Sequence, residues 1–119
     1  QRMTAQLTPT RNPVRGEVWF VRGRVGNTCG TELWPNRHAV VVSPDNRNRR
    51  AGFVVVAYIR QGVKASPMHV VTGYGTVLTE QLHTVDMSRL GRVTGRLSDE
   101  ELDRVEDAIA VTIGLDLEG

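Results

Sequence analysis

The sequence predicts a mainly β (α+β) domain, a small β-barrel or curled sheet carrying one C-terminal amphipathic helix. Three observations carry that expectation. Short β-branched and aromatic runs recur, "EVWFV", "HAVVVS" and "FVVVAYI", each bounded by Gly, Pro or Asn. At Ser98 the apolar period changes from the strand to the helix pattern. The chain, 119 residues with one cysteine, is long enough to bury a core without disulfides.

The elements follow in order. Residues 1–13 lack periodicity and end in Pro13, so they read as a loose N-terminal arm before a single domain over 14–119. "RGEVWFVRG" (15–23) is a short strand, with Val18 and Phe20 on one face and Trp19 and Val21 on the other. "RVGNTCGTELWPN" (24–36) reads as a loop. "HAVVVS" (38–43) is a strand buried on both faces, "PDNRNRRAG" (44–52) a turn with three Arg, and "FVVVAYI" (53–59) a second buried strand. After a loop over 60–67, "MHVV" and "GTVLTEQLHTVDM" are strands joined at Gly73-Tyr74-Gly75. "RLGRVTGRL" (89–97) gives a turn and a short strand. In "SDEELDRVEDAIAVTIG" Ser98 and Glu101 form a capping box, and Leu97 and Leu102 a hydrophobic staple across it. Leu102, Val105, Ile109 and Ile113 share one helix face, and Gly114 is the natural C-cap.

Composition excludes several classes. There is no apolar run of about 18 residues for a membrane span and no apolar signal-peptide core. A soluble, reducing, cytoplasmic setting is the default expectation. Cys29 alone can form neither an internal disulfide nor a Cys-based zinc site. No phosphate-binding glycine loop and no zinc-protease motif is present. The net charge of +2 conceals an asymmetry. Residues 1–64 hold eleven Arg or Lys against three Asp or Glu, a net +8; residues 65–119 hold four against ten, a net −6. Fourteen of the fifteen cations are Arg, whose planar fork matches phosphate oxygens and stacks on bases. The pattern fits a polyanion partner, although Arg richness also follows from genome composition.

The candidate chemistry concentrates at "GTELWPNRHAVVVSPDN". Arg37 enters a buried strand and so has a fixed backbone, with Glu32 five residues upstream and Trp34 between them. Arg37 can serve a site or simply pair with Glu32. Trp34 can stack a base or plug a barrel end. Arg47, Arg49 and Arg50 can track a phosphate backbone or be a solvated turn. His38, His69 and His83 are far apart in sequence, which makes a metal site remote. His83 reads as an exposed strand position, His69 as a strand-heading structural residue, and the acids Asp99 to Glu106 as a solvated helix face.

Taken in order, these segments resemble the MazF/PemK family of toxin endoribonucleases. The resemblance runs from about residue 14 to 115. It is carried by Arg15 to Trp19, by Gly30, Thr31, Glu32, Arg37 and His38, by Pro67-Met68-His69-Val70, and by Glu80, Gln81, Leu82, Thr84, Val85 and Asp86. It implies a compact SH3-like antiparallel β-barrel with a C-terminal helix, assembled as a homodimer. It also implies sequence-specific cleavage of single-stranded RNA by 2′-OH attack, needing no metal or cofactor. The ends would be a 2′,3′-cyclic phosphate and a 5′-hydroxyl, and a cognate antitoxin would block the RNA groove.

By the same resemblance Arg37 is the catalytic arginine and Glu32 the loop carboxylate of the catalytic set, which could orient Arg37, read a base edge or act as base. Thr31, Trp34, Asn36, His38, Arg47, Arg49 and Arg50 would line the RNA. Two positions depart from the pattern. His38 stands where the family has Pro, and Arg60 stands where it has Thr or Ser. Arg60 would then form a two-Arg clamp with Arg37, unless Ser66 or Thr79 supplies the hydroxyl. The departure leaves open a degenerate homologue that binds RNA or antitoxin without cutting. A gyrase-poisoning binding protein of the CcdB type is the other alternative.

Overall fold

A computed structural model describes residues 12–25, 32–34 and 37–115. It has eight strands and two α-helices: β1 (Glu17–Val21), β2 (Arg24–Val25), β3 (Glu32–Trp34), β4 (Arg37–Val41), α1 (Asp45–Ala51), β5 (Phe53–Arg60), β6 (His69–Thr72), β7 (Gly75–Asp86), β8 (Leu90–Arg96) and α2 (Asp99–Ile113). Six strands form one antiparallel sheet in the order β6-β7-β5-β4-β1-β8, while β2 and β3 pair separately. The mainly β architecture with a C-terminal helix is the one expected.

The sheet buries both faces through its central strands. Strand alternation sends Val18, Val40, Ala57 and Ile59 to one side, where Leu97, Leu102, Val105 and Ala108 cover them. The other side receives Trp19, Val21, Ala39, Val41, Val54, Val56, Tyr58, Val85 and Leu90. This two-sided burial is why β4 and β5 read as continuous apolar runs rather than alternating ones. The Trp19 indole N–H donates to Glu17 Oε1 at 3.1 Å, so its polar end is satisfied inside the core.

Curvature is visible at its causes. The β5–β7 register shifts between Ala57 and Ile59, and the β1–β8 register shifts twice around Trp19. Such bulges increase twist and bend a sheet on itself. The two ends of the strand order then approach each other. The Arg96 N–H of β8 donates to the Tyr74 hydroxyl, in the β6–β7 turn, at 3.1 Å. Gly95 permits this contact, because a Cβ there would overlap the Tyr74 ring.

The helix α2 forms as its sequence dictates. Ser98 accepts from the Glu101 N–H at 3.1 Å and the Glu101 carboxylate accepts from the Ser98 N–H at 2.9 Å, completing the capping box. Gly114 ends it in the left-handed region at φ 77°. The expected apolar face is shorter than predicted. Leu102, Val105 and Ile109 pack on the sheet, but Ile113 is 55% exposed because it lies in the last turn beyond the core.

Two local expectations are corrected. The segment expected to be a turn with three Arg is the helix α1, carrying Arg47, Arg49 and Arg50. Gly52 closes it in the left-handed region at φ 78°. Its seven residues are too few to show helical periodicity, and its identity rests on a tertiary anchor. Asn48 is fully buried, hydrogen-bonded to Ser43 and to the Pro13 carbonyl. The expected loop over 24–36 contains the β2–β3 pair, with Arg24 opposite Trp34 and Val25 opposite Glu32. Strands of two and three residues are too short for a periodic signal.

Candidate functional site

The site grows out of three neighbouring strands, β4, β5 and β7. Arg37 opens β4 and shares the sheet side of Ala39 and Val41. On β5 Tyr58 faces Ala39 in the antiparallel register. The pairing ends there, and an extension of the same register by two residues would bring Arg60 toward Arg37. Arg60 is exposed at the end of β5.

Tyr58 is the centre of the cluster. The Arg37 guanidinium carbon lies 5.4 Å from its ring centroid, in cation–π range. The His83 ring, from β7, stacks on it at 4.6 Å with an interplanar angle of 27°. Tyr58 is 2% exposed, and its hydroxyl has no hydrogen-bond partner among the described residues. Arg89, from the 3-10 turn Met87–Arg89, closes the far side, donating from Nε to the Arg22 carbonyl at 2.9 Å. Its own charge and that of Arg37 act on His83.

His83 is thus not the plain exposed strand residue expected from the sequence. It is half-buried and stacked. Burial first, then the positive charges of Arg37 and Arg89, holds its imidazole below the ordinary histidine value. The fold therefore disfavours the imidazolium. As pH falls through the ordinary histidine value toward the lowered one, the unfolded chain takes the proton first, and stability falls. Denaturant midpoints measured between pH 7.5 and 5 should decline in the wild type. The decline should be smaller in His83→Gln; equal declines would assign that proton uptake elsewhere. The carboxylates with lowered values, Glu80, Asp86 and Glu101, act in a separate window, below the ordinary carboxylate range.

The other candidates are distributed differently. His38 alternates to the opposite sheet face, where it meets Phe20 edge-on at 5.6 Å. His69 pairs with Glu80 at 2.9 Å and lines a cavity against α2. Thr79 is fully buried and bonds the Met68 carbonyl and the Thr112 hydroxyl, each at 2.7 Å. Ser66 lines a cavity of about 340 Å³ against α2 with Arg104 and Asp107. Neither hydroxyl shares the face of Arg37. Arg47, Arg49 and Arg50 follow the other end of β4 on α1. Seven residues at about 3.3 Å each put the start of that helix roughly 20 Å along the chain from Arg37. Glu32 and Trp34 lie on β3. Thr31, Asn36 and Cys29 fall outside the described residues.

Sequence reasoning missed Tyr58 and the role of His83. The available signal was a lone Tyr in the apolar run "FVVVAYI" and a His two residues from the buried Val85 on the same strand face. Among the described residues no group of three His, Cys, Asp or Glu side chains converges as a metal site. Among the same residues no helix is long and apolar enough to cross a membrane.

A six-stranded, bulged antiparallel sheet is covered by one helix and carries a basic-aromatic cluster on its other face. Residues 14–113 match the model of the PemK-like, MazF-like toxin of type II toxin–antitoxin systems, and the chain belongs to that family. It is 30% identical over 111 residues to "Endoribonuclease EndoA" of Bacillus subtilis (strain 168), covering 85% of this chain and 94% of that one. Solved structures share the fold. The crystal structure of MazE–MazF (Form-III) from Deinococcus radiodurans has a TM-score of 0.75 at 20% identity, covering 89% of this chain and 100% of the other. An endoribonuclease in complex with its cognate antitoxin, from a Mycobacterial species, has a TM-score of 0.71 at 23% identity, covering 87% and 97%.

Proposed function

We propose that this toxin is a metal-independent endoribonuclease that cleaves single-stranded RNA at a short sequence. Attack of a 2′-hydroxyl on the adjacent phosphorus would leave a 2′,3′-cyclic phosphate and a 5′-hydroxyl. The observation that carries the reading is Arg37, fixed at a strand start over Tyr58. A guanidinium fork there can hold a phosphodiester and stabilise charge as it develops on the phosphorane oxygens, and Arg60, at the end of β5, would join it as a second fork. The named activity of the Bacillus subtilis relative supports the same chemistry. Glu32, on β3, is the carboxylate we assign to orienting Arg37 or reading a base edge.

The reading includes a cytoplasmic homodimer silenced by a cognate antitoxin, and the antitoxin complexes of structural neighbours support the last part. Incubation of the purified protein with a long mixed-sequence transcript in EDTA tests the catalytic core. Discrete fragments with 5′-hydroxyl ends are expected. An intact transcript, bound but uncut, would instead identify an RNA-binding homologue, the outcome that loss of a hydroxyl at position 60 would produce.

A further inference from the structure

Cleavage by an internal 2′-hydroxyl requires a group that accepts the 2′-OH proton. A guanidinium at neutral pH has no acceptor to offer, so neither Arg37 nor Arg60 can do this. The hydroxyl that stands in the family pattern at position 60 is missing, and Thr79 and Ser66 lie on the α2 side. Of the other two histidines, His38 is on that side and His69, on β6, is paired with Glu80 at 2.9 Å. His83 alone shares the Tyr58 surface with Arg37.

The geometry suits the task. Both groups are measured from one ring centroid, at 4.6 and 5.4 Å, so His83 and the Arg37 guanidinium lie within about 10 Å of each other. The strand order β7-β5-β4 sets the Tyr58 ring between them, so a phosphodiester touching both would lie across that ring rather than in a gap. Stacking on the buried Tyr58 ring fixes the imidazole plane, which is the orientation a general base needs. The Tyr58 hydroxyl, buried and without a described partner, adds a polar atom to the same surface.

We infer that His83 is the general base of this nuclease and that Tyr58 is the residue that positions it. The inference rests on the RNA-cleaving reading given above. In the step, a His83 ring nitrogen takes the 2′-hydroxyl proton and the 2′-oxygen forms a bond to phosphorus. The bond from phosphorus to the 5′-oxygen breaks, and the departing oxygen takes a proton from water. The imidazolium then returns its proton to solvent. The charged and titratable groups facing His83 among the described residues are Arg37 from β4, Tyr58 from β5 and Arg89 from the turn after β7. On its own strand Asp86 is engaged by the Ser88 N–H at 3.0 Å. All three cationic or neutral neighbours leave the neutral, proton-accepting imidazole as the working form.

The test compares wild type, His83→Gln and His83→Asn on an oligoribonucleotide spanning a mapped cleavage site, across pH 5 to 8.5. Single-turnover rates of the wild type should fall on the acid side, with an inflection below that of free histidine. Both variants should cut at least about 100-fold more slowly, the lower end of what a positioned base contributes, and should lack that inflection. Their affinity for the same oligonucleotide with a 2′-deoxy scissile sugar, read by fluorescence anisotropy, should stay within about threefold, which also shows that they are folded. Either variant cutting within about threefold of wild type, or keeping the acid limb, overturns the assignment while leaving the nuclease reading intact. A wild type that binds the oligonucleotide and never cuts it overturns both.

Discussion

Replacing Arg37 by Ala should abolish cleavage by about 100- to 1,000-fold, the range for loss of one preorganised donor at a developing oxyanion, while leaving the protein folded. Arg37 is only half-buried, at the first position of β4, and its described aromatic contact is the Tyr58 face. Losing a cation–π contact of this kind costs about 0.5–1 kcal/mol, too little to unfold a domain of ordinary stability. Arg37→Lys should rescue little, because a point charge cannot reproduce a bidentate fork. The measurement is release of 5′-hydroxyl fragments under single-turnover conditions, beside a thermal melt of each variant. Unchanged cutting by Arg37→Ala would reject Arg37 as catalytic.

The largest effect on stability should come from Asn48→Ala, a residue far from the candidate site. Asn48 has no exposed surface. Its Oδ1 accepts from the Ser43 hydroxyl at 2.5 Å, and its Nδ2 donates to the Pro13 and Ser43 carbonyls, each at 3.2 Å. The Ser43 hydroxyl oxygen in turn accepts from the Val55 N–H at 3.0 Å. One amide thus ties the segment before β1, the end of β4, the helix α1 and the start of β5 together. Removing it strands a buried hydroxyl hydrogen and two carbonyls, at about 1–3 kcal/mol for each group left unsatisfied. Relaxation and water entry reduce the sum, and a net loss of about 3 kcal/mol is expected. For a domain of this size that corresponds to roughly 10–15 °C in melting temperature. A shift under about 3 °C would show that the network is dispensable.

The contrast between these two residues explains what was legible in the sequence. Arg37 could be read because its place before a β-branched run gives it a fixed backbone, and because the ordered segments resemble a known family. The capping box of Ser98 and Glu101 was equally readable, since cap and partner are three residues apart. Asn48 could not be read. Its meaning depends on Pro13, which is 35 residues away, and α1 without that anchor looks like a polar turn. His83 was hidden for a related reason. Its strand position predicts one exposed face, but the β5–β7 pairing sets His83 opposite Val56, so that Tyr58, two residues along on the same face, stacks on it. Strand pairing between residues 27 positions apart leaves no composition signal, and it is what makes an ordinary-looking strand histidine a neighbour of Tyr58.

The placement of α2 has a consequence for how a partner meets this molecule. Its residues Asp99 to Ile113 carry six acids against one Arg, and they cover the sheet side opposite Arg37, Tyr58 and His83. The sheet therefore stands between a cationic and an anionic surface, which gives the whole molecule a dipole. A polyanionic strand approaching in solution would experience a torque as well as an attraction, turning the Arg37 side toward it before contact. Helix α2, whose visible role is to cover half the core, would thus also repel nucleic acid from the wrong side of the sheet. Both the orienting and the repelling effect should fade as salt shortens the screening length.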